Sequence, residues 1–470
     1  MPLPTIAILG AGPAGLGAAW QLARQNKARA IVLELRDAVG GNAGSFELAG
    51  IPVDFGSHRL HPSTAPHIMA DIRSLLGDDL LERPRHGRIR LRGKWIHFPL
   101  KGLDLMTNLP WSFRLGVMSD AIRKAIPARS NGHEESFATV LRKGLGSTIC
   151  NDFYFPYARK IWGLEPTELS PIQAKKRVSA GSLTKIVKKT LGIRGRNEPS
   201  RKTFFYPRNG FGQISEALAR AAQQAGADLR LNTSIKKIHL GAPHRVVTEA
   251  NGQTHEFTAD HVWSTIPVAA LAKITQPPAP QPVLDAASKL ESRAMILIYL
   301  VLGTPQFTEY DAHYFPESHI RLTRLSEPKN YSVRTEPADR TVLCGELPCT
   351  VGDDLWQSTD EQLGQLVRGA LAASGLPVTA PVLQVTTRRL PHAYPIYRTG
   401  YERHFATLDD WASSLDRVLT FGRQGLFAHD NTHHALAMAY AAVDAFSNSG
   451  LDAARWSESR AQFEKHVVED

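Results

Sequence analysis

The chain has 470 residues, 43% of them hydrophobic, with 55 Lys and Arg against 45 Asp and Glu and a net charge of +10. That length predicts more than one compact lobe. No apolar run reaches the roughly 18 residues of a membrane span, and the basic stretch over 175–202 lacks the interleaved aromatics of a nucleic-acid surface.

The opening is a nucleotide-binding pattern. An apolar strand over 6–9 runs into the glycine turn Gly10-Ala11-Gly12-Pro13-Ala14-Gly15, and a helix follows. A second apolar strand over 30–33 ends on Glu34. Only glycine lets a backbone turn this sharply against a pyrophosphate, and the helix start then offers free N–H groups and a positive dipole end. Glu34 falls where an acid can accept from the ribose hydroxyls of an adenosine. After it come Arg36 and the pair Gly40-Gly41 with Asn42.

Further along, a short strand over 51–55 leads to Ser57-His58-Arg59-Leu60-His61-Pro62. A helix is expected near 64–80, and residues 87–99 alternate like a hairpin. Residues 105–192 read as mostly helical, and 204–207 as a strand. A second dinucleotide-type block follows: an amphipathic helix over 212–225, an alternating strand over 227–238, and a buried strand over 261–267. Residues 290–400 alternate as strands with turns. Residues 418–423 form a strand ending in Gly422-Arg423, and a helix opens at Asn431-Thr432-His433-His434 and runs to about 447.

These motifs resemble a large FAD family that holds amine oxidases, protoporphyrinogen oxidases, phytoene desaturases and UDP-galactopyranose mutase. Five segments carry the likeness: the Gly40-Gly41 extension, the His58-Arg59 loop, the Lys160-Ile161-Trp162-Gly163 signature, Tyr206-Pro207-Arg208, and Tyr394-Pro395-Ile396-Tyr397 followed by Gly422-Arg423. Many relatives carry Arg or Lys where this chain has Asn42. The resemblance implies an α/β fold: a Rossmann-type, glutathione reductase-like FAD lobe interleaved with a sheet-based substrate lobe and a helical insertion. The expected division is an FAD lobe over 1–82, 204–275 and 411–470, a hairpin and helical insertion over 83–203, and a substrate sheet lobe over 276–410.

The resemblance also implies roles. Gly10, Gly12, Gly15, Glu34, Gly41, Asn42, His58, Ile235, Gly422, Arg423, Asn431, Thr432 and His433 are expected to contact FAD. Ile235 would lie against the adenine and Arg423 against the phosphates. His58 and Arg59 are expected at the reacting edge, with bracing of the loop as the alternative. Arg59, His61, Trp162, Tyr206, Arg208, Tyr394, Tyr397 and His429 are substrate candidates; Trp162 is equally a core tryptophan. No metal is expected, because His433 and His434 are adjacent and point to different faces of a helix. The cysteines Cys150, Cys344 and Cys349 match neither a disulfide framework nor a zinc spacing.

The expected activity is FAD-dependent oxidation of a small molecule by hydride transfer, the substrate being a nucleotide- or lipid-linked sugar or another anionic or apolar metabolite. The alternative is sugar ring isomerisation with reduced FAD, as in UDP-galactopyranose mutase. The fold begins near the first residue, so a cytoplasmic location is the expectation. Residues 175–202 carry ten Lys or Arg and one acid; they read as a solvated excursion, a lid for an anionic substrate, or a peripheral contact with the inner face of an anionic membrane.

Overall fold

A computed structural model describes residues 2–100, 104, 107–125, 135–177, 203–447 and 449–468. The basic segment therefore lies outside the described residues beyond position 177. No helix among the described residues is long and apolar enough to cross a membrane.

Five short parallel strands form the first sheet, in the order Val418–Thr420, His261–Ser264, Thr5–Leu9, Arg29–Leu33, Asp228–Arg230. Its central strands are buried, nearly continuous apolar runs, as a parallel sheet covered on both faces requires. Strands from three distant stretches of chain make this one sheet, so the cofactor-type lobe is discontinuous. A four-stranded sheet (Gln253–Ala259, His244–Ala250, Thr233–His239, Thr275–Gln276) packs beside it.

The alternating run over 227–238 is not one strand. Asn232 takes the left-handed conformation at φ 50° and breaks it, a conformation that asparagine tolerates better than most residues. Asp228–Arg230 then joins the parallel sheet, while Thr233–His239 joins the four-stranded one.

The opening helix Pro13–Arg24 lies against the closing helix Thr432–Asp444 and the helix Gln213–Gln224. Small residues permit the close approach: a Cβ on Gly17 would stand 2.9 Å from Leu436 Cδ2. Leu16, Leu22, Leu436 and Met438 fill the resulting core, each fully buried side chain stabilising the fold by about 1.5–3 kcal/mol.

The second lobe is a seven-stranded sheet in the order Val382–Pro395, Ser292–Leu302, Thr341–Cys349, Arg324–Ser326, Ala312–Tyr314, Gly87–Leu91, Lys94–Phe98. The hairpin over 87–98 thus extends this sheet and ties the 83–203 segment to it. Helices Trp111–Ala125, Phe137–Ile149, Phe155–Trp162 and Pro171–Arg177 complete that segment as far as it is described.

Candidate active site

A cavity of about 330 Å³ runs from the glycine turn to the facing sheet, reaching residues of both lobes. Gly10, Gly12, Glu34, Gly41 and Asn42 line its nucleotide end. Gly10 holds φ 100° and donates its N–H to Leu33 O, which folds the turn back over the second strand. Glu34 accepts from the N–H of Ala11 (2.8 Å) and of Arg36 (3.0 Å), fixing its carboxylate beside the turn. Gly40 donates to Ala11 O at 2.8 Å, so the second glycine element lies directly on the first.

The glycines divide by role. A Cβ on Gly15 would sit 2.0 Å from Gly10 O, so Gly15 serves the close packing of helix on strand. A Cβ on Gly422 would sit 2.8 Å from Ala14 Cβ, the same kind of constraint. A Cβ on Gly12 would meet nothing within 4 Å. That open space lies where the helix Pro13–Arg24 starts, a start with no side-chain cap, which leaves its N–H groups for an anion. The residues present therefore fit an adenine dinucleotide: an open cradle at Gly12, an uncapped helix start, and a placed ribose acid.

His58, Arg59, His61, Tyr394, Arg423, His429, Asn431 and Thr432 also line the cavity. His58 stacks on Phe211 at 5.3 Å. Burial, and then the positive charges of Arg324 and Arg423, push its imidazole down to about 3. His58 is thus a neutral imidazole across the physiological range.

Arg59 is buried and pairs with Asp311 at 3.1 Å, with further hydrogen bonds to the hydroxyls of Tyr314 and Tyr331. Arg324 makes a bidentate pair with Glu346 at 2.9 and 3.0 Å. Glu346 also accepts from the N–H of Ser57 at 2.8 Å, so this ion pair anchors the His58 loop. None of Arg324, Glu346 and Asp311 is singled out by the sequence reading. Glu346 did leave a trace, as the one charge in the apolar strand Thr341–Cys349. Arg324 and Asp311 left none.

Other candidates lie elsewhere. Trp162 is buried in a satellite core, edge-on to Phe137 at 5.5 Å, and does not line the cavity. Its helix turns Tyr157 and Ile161 toward the cavity instead. Tyr206 is buried and donates to Asp54 at 2.6 Å; burial pushes the Asp54 carboxyl up to about 6, against the donors Ser45, Tyr206 and Phe211. Arg208 is half-exposed and pairs with Asp79. Tyr397 donates to Phe427 O at 3.0 Å and accepts from the N–H of His429 at 2.9 Å. Trp162 fills a core and the other three brace loops, and none of the four is among the lining residues. Ile235 packs with the core around Ile31 and Leu33.

Arg423 lines the cavity while its guanidinium donates to Asp430 O (2.8 Å) and Ala393 O (2.6 Å). It therefore pins the segment before the closing helix to the sheet lobe. Asn42, where relatives carry a cation, donates to His392 O at 3.0 Å. His433 is buried with its ring 6.3 Å from His61.

One cluster escaped the sequence reading. Asp430, His434 and His466 present polar atoms within 4.8 Å of one another. His466 lies 2.9 Å from Asp430, and Lys176 Nζ at 3.9 Å supplies an ammonium counter-charge. Burial opposes ionisation of Asp430, but His466, His434 and Lys176 hold its carboxyl below the usual range. The cluster joins the chain's end to the start of the closing helix.

The comparisons agree with this geometry. Residues 13–446 match the family of flavin containing amine oxidoreductases. The chain is 29% identical over 314 residues to a putative flavin-containing monoamine oxidase of Mycobacterium tuberculosis, a match covering 64% of this chain and 65% of that relative's length. It is 24% identical over 478 residues to the chloroplastic protoporphyrinogen oxidase of Nicotiana tabacum, covering 92% of this chain and 82% of the other. Among solved structures, reduced UDP-galactopyranose mutase superposes over 99% of this chain and 100% of its own, with a TM-score of 0.82 at 21% identity. Putrescine oxidase bound to putrescine covers 94% of this chain and 98% of its own, with a TM-score of 0.64 at 18% identity. A family of flavin containing enzymes and a cavity that fits an adenine dinucleotide together give FAD as the cofactor. The chain belongs to the flavin containing amine oxidoreductases.

Proposed function

We propose that the protein is an FAD-dependent oxidoreductase that takes a hydride from a largely apolar small molecule held beside His58. When bound, FAD supplies the hydride acceptor, and that chemistry is the cofactor's own. Gly10, Gly12, Glu34 and Gly41 would hold its nucleotide half. Asn431, Thr432 and the start of the closing helix would bring a positive dipole end to its other half, favouring the negative charge that reduction adds. His58, neutral and fixed against Phe211, offers a hydrogen bond without a charge. Tyr157, Ile161, Met295, Leu297 and Leu390 give the substrate an apolar wall.

The observation that carries this reading is the state of the buried cations. Arg59 and Arg324 are paired with Asp311 and Glu346, and Arg423 is bound by two carbonyls. Clamping a nucleoside diphosphate through Arg59 or Arg324 would require those two ion pairs to break, at several kcal/mol for each buried charge left alone. The competing reading, ring isomerisation of a nucleotide sugar with reduced FAD, draws on the four arginines that line the cavity, Arg59, Arg85, Arg324 and Arg423.

Anaerobic mixing of oxidised enzyme with candidate substrates decides between them. An apolar amine or polycyclic substrate should bleach the visible flavin band, and an added electron acceptor should restore it. Turnover of a nucleotide sugar seen only after dithionite reduction, with no net change in flavin redox state, would overturn the proposal.

A further inference from the structure

Among the described residues nine large apolar side chains are exposed, and four of them sit on one helix: Trp111 (73%), Leu115 (59%), Met118 (61%) and Ile122 (65%) on Trp111–Ala125. Their spacing of four, three and four residues places all four within an arc of about 60° at 3.6 residues per turn. The opposite face is already used. Phe113 and Val117 pack on the hairpin residues Ile89, Leu91 and Ile96, and Asp120 turns inward to accept from the N–H of Thr148 at 2.6 Å. The helix is therefore held without its outer stripe. An exposed apolar stripe this regular marks an interaction surface.

Charge selects the occupant. Of the nine Lys and Arg over 85–125, Arg85 lines the cavity and Arg90 and Arg92 are paired with Glu317 and Asp152, so the charge beside the stripe comes from Arg114 and Arg123; the same run holds two acids. Both acids are turned inward: Asp120 as above, and Asp104 toward the N–H of His97 at 2.5 Å. Arg114 and Arg123 fall on either flank of the stripe, and the Arg114 guanidinium lies 4.8 Å from the Trp111 ring centroid. Tryptophan at the end of an apolar stripe flanked by arginines suits the boundary between headgroups and acyl chains. A second copy of this chain is a poor occupant. It carries the same +10 charge, and four side chains fall far short of the roughly 20–30 residues a side of a stable protein interface.

We propose that the outer face of Trp111–Ala125 lies in the surface of an anionic bilayer, its axis in the membrane plane, and docks the seven-stranded sheet lobe there. The test uses the full FAD-loaded chain and sedimentation with vesicles of equal parts phosphatidylcholine and phosphatidylglycerol. The protein should sediment with these vesicles and remain in solution with pure phosphatidylcholine, because the electrostatic attraction is then lost. The combined variant Trp111→Gln, Leu115→Gln, Met118→Gln, Ile122→Gln should partition at least about tenfold more weakly. It should keep its FAD content, since none of the four residues touches the cavity. Three results would overturn the proposal: a wild-type chain that ignores the mixed vesicles, a combined variant that binds them as tightly as wild type, or a wild-type dimer by light scattering that the variant reduces to a monomer.

Discussion

His58 shows how one residue's surroundings set its chemistry. A histidine in a loop rich in arginine and histidine reads equally as acid, base or brace. Burial, Arg324 and Arg423 settle its charge by pushing its pKa from 6.5 to about 3. The native state then binds fewer protons than the unfolded chain below pH 6.5. The stability linked to His58 is complete above that value and is lost as the pH falls toward about 3. Each unit in that window removes up to about 1.4 kcal/mol. Urea unfolding of FAD-saturated protein, repeated from pH 7 downward, should therefore show a shallower acid loss for His58→Gln than for wild type. Identical acid slopes would show that His58 is already charged in the fold. Arg59 follows the same logic with the opposite outcome: Asp311, Tyr314 and Tyr331 hold its guanidinium charged although it is buried.

At the scale of elements, the helix Phe155–Trp162 explains a motif whose residue types are ambiguous. Lys160, Trp162 and Gly163 look like a substrate-binding signature, yet each does structural work. The Lys160 ammonium donates to the carbonyls of Phe315, Ile320 and Leu322, pinning the loop that leads into Arg324. Burial pushes its pKa down to about 7. Trp162 fills the satellite core, and Gly163 ends the helix in the left-handed conformation at φ 70°. Tyr157 and Ile161, one turn apart, are the positions that face the cavity. Lys160→Met should destabilise the protein by about 3 kcal/mol, the scale of charged hydrogen bonds lost from buried carbonyls. Chemical denaturation measures this directly, and a loss below about 0.5 kcal/mol, within the range of an ordinary surface substitution, would show that the loop is held by other contacts.

At the scale of the whole molecule, the cavity is where the two sheets meet. Its walls come from the glycine turn, the His58 loop, the sheet lobe and the closing helix. A ligand that touches all of them links segments hundreds of residues apart, so FAD should stabilise the chain as a unit. At free FAD one hundred times its dissociation constant the gain is about 2.7 kcal/mol. Apoprotein prepared by mild chaotrope treatment should unfold at a lower temperature than holoprotein and recover on adding FAD. Gly12→Val should leave the apoprotein's unfolding temperature close to wild type, because no protein atom stands within 4 Å of the added Cβ, and should abolish the rise with FAD. A Gly12→Val chain that still gains full stability from FAD would place the pyrophosphate elsewhere.

The sequence by itself determined what is local. The opening strand, glycine turn, helix and Glu34 lie within about thirty residues, and glycine's steric freedom and a helix start have the same meaning in any fold. The flavin family and the interleaved lobes were legible because each motif that carries the resemblance, from Gly40-Gly41 to Gly422-Arg423, is itself a short local run. Tertiary structure decided which side chains of the distant motifs reach the cavity. Tyr394 does and Tyr397 does not, because the strand Val382–Pro395 ends between them and the chain turns Tyr397 toward Phe427. Tyr157 does and Trp162 does not, because helix phase sends them to different faces. The pairing of Arg324 with Glu346 and of Arg59 with Asp311 spans 22 and 252 residues. Arg324 meets Glu346 through the pairing of the strands Arg324–Ser326 and Thr341–Cys349, Arg59 meets Asp311 through the packing of two irregular segments, and no local pattern encodes either.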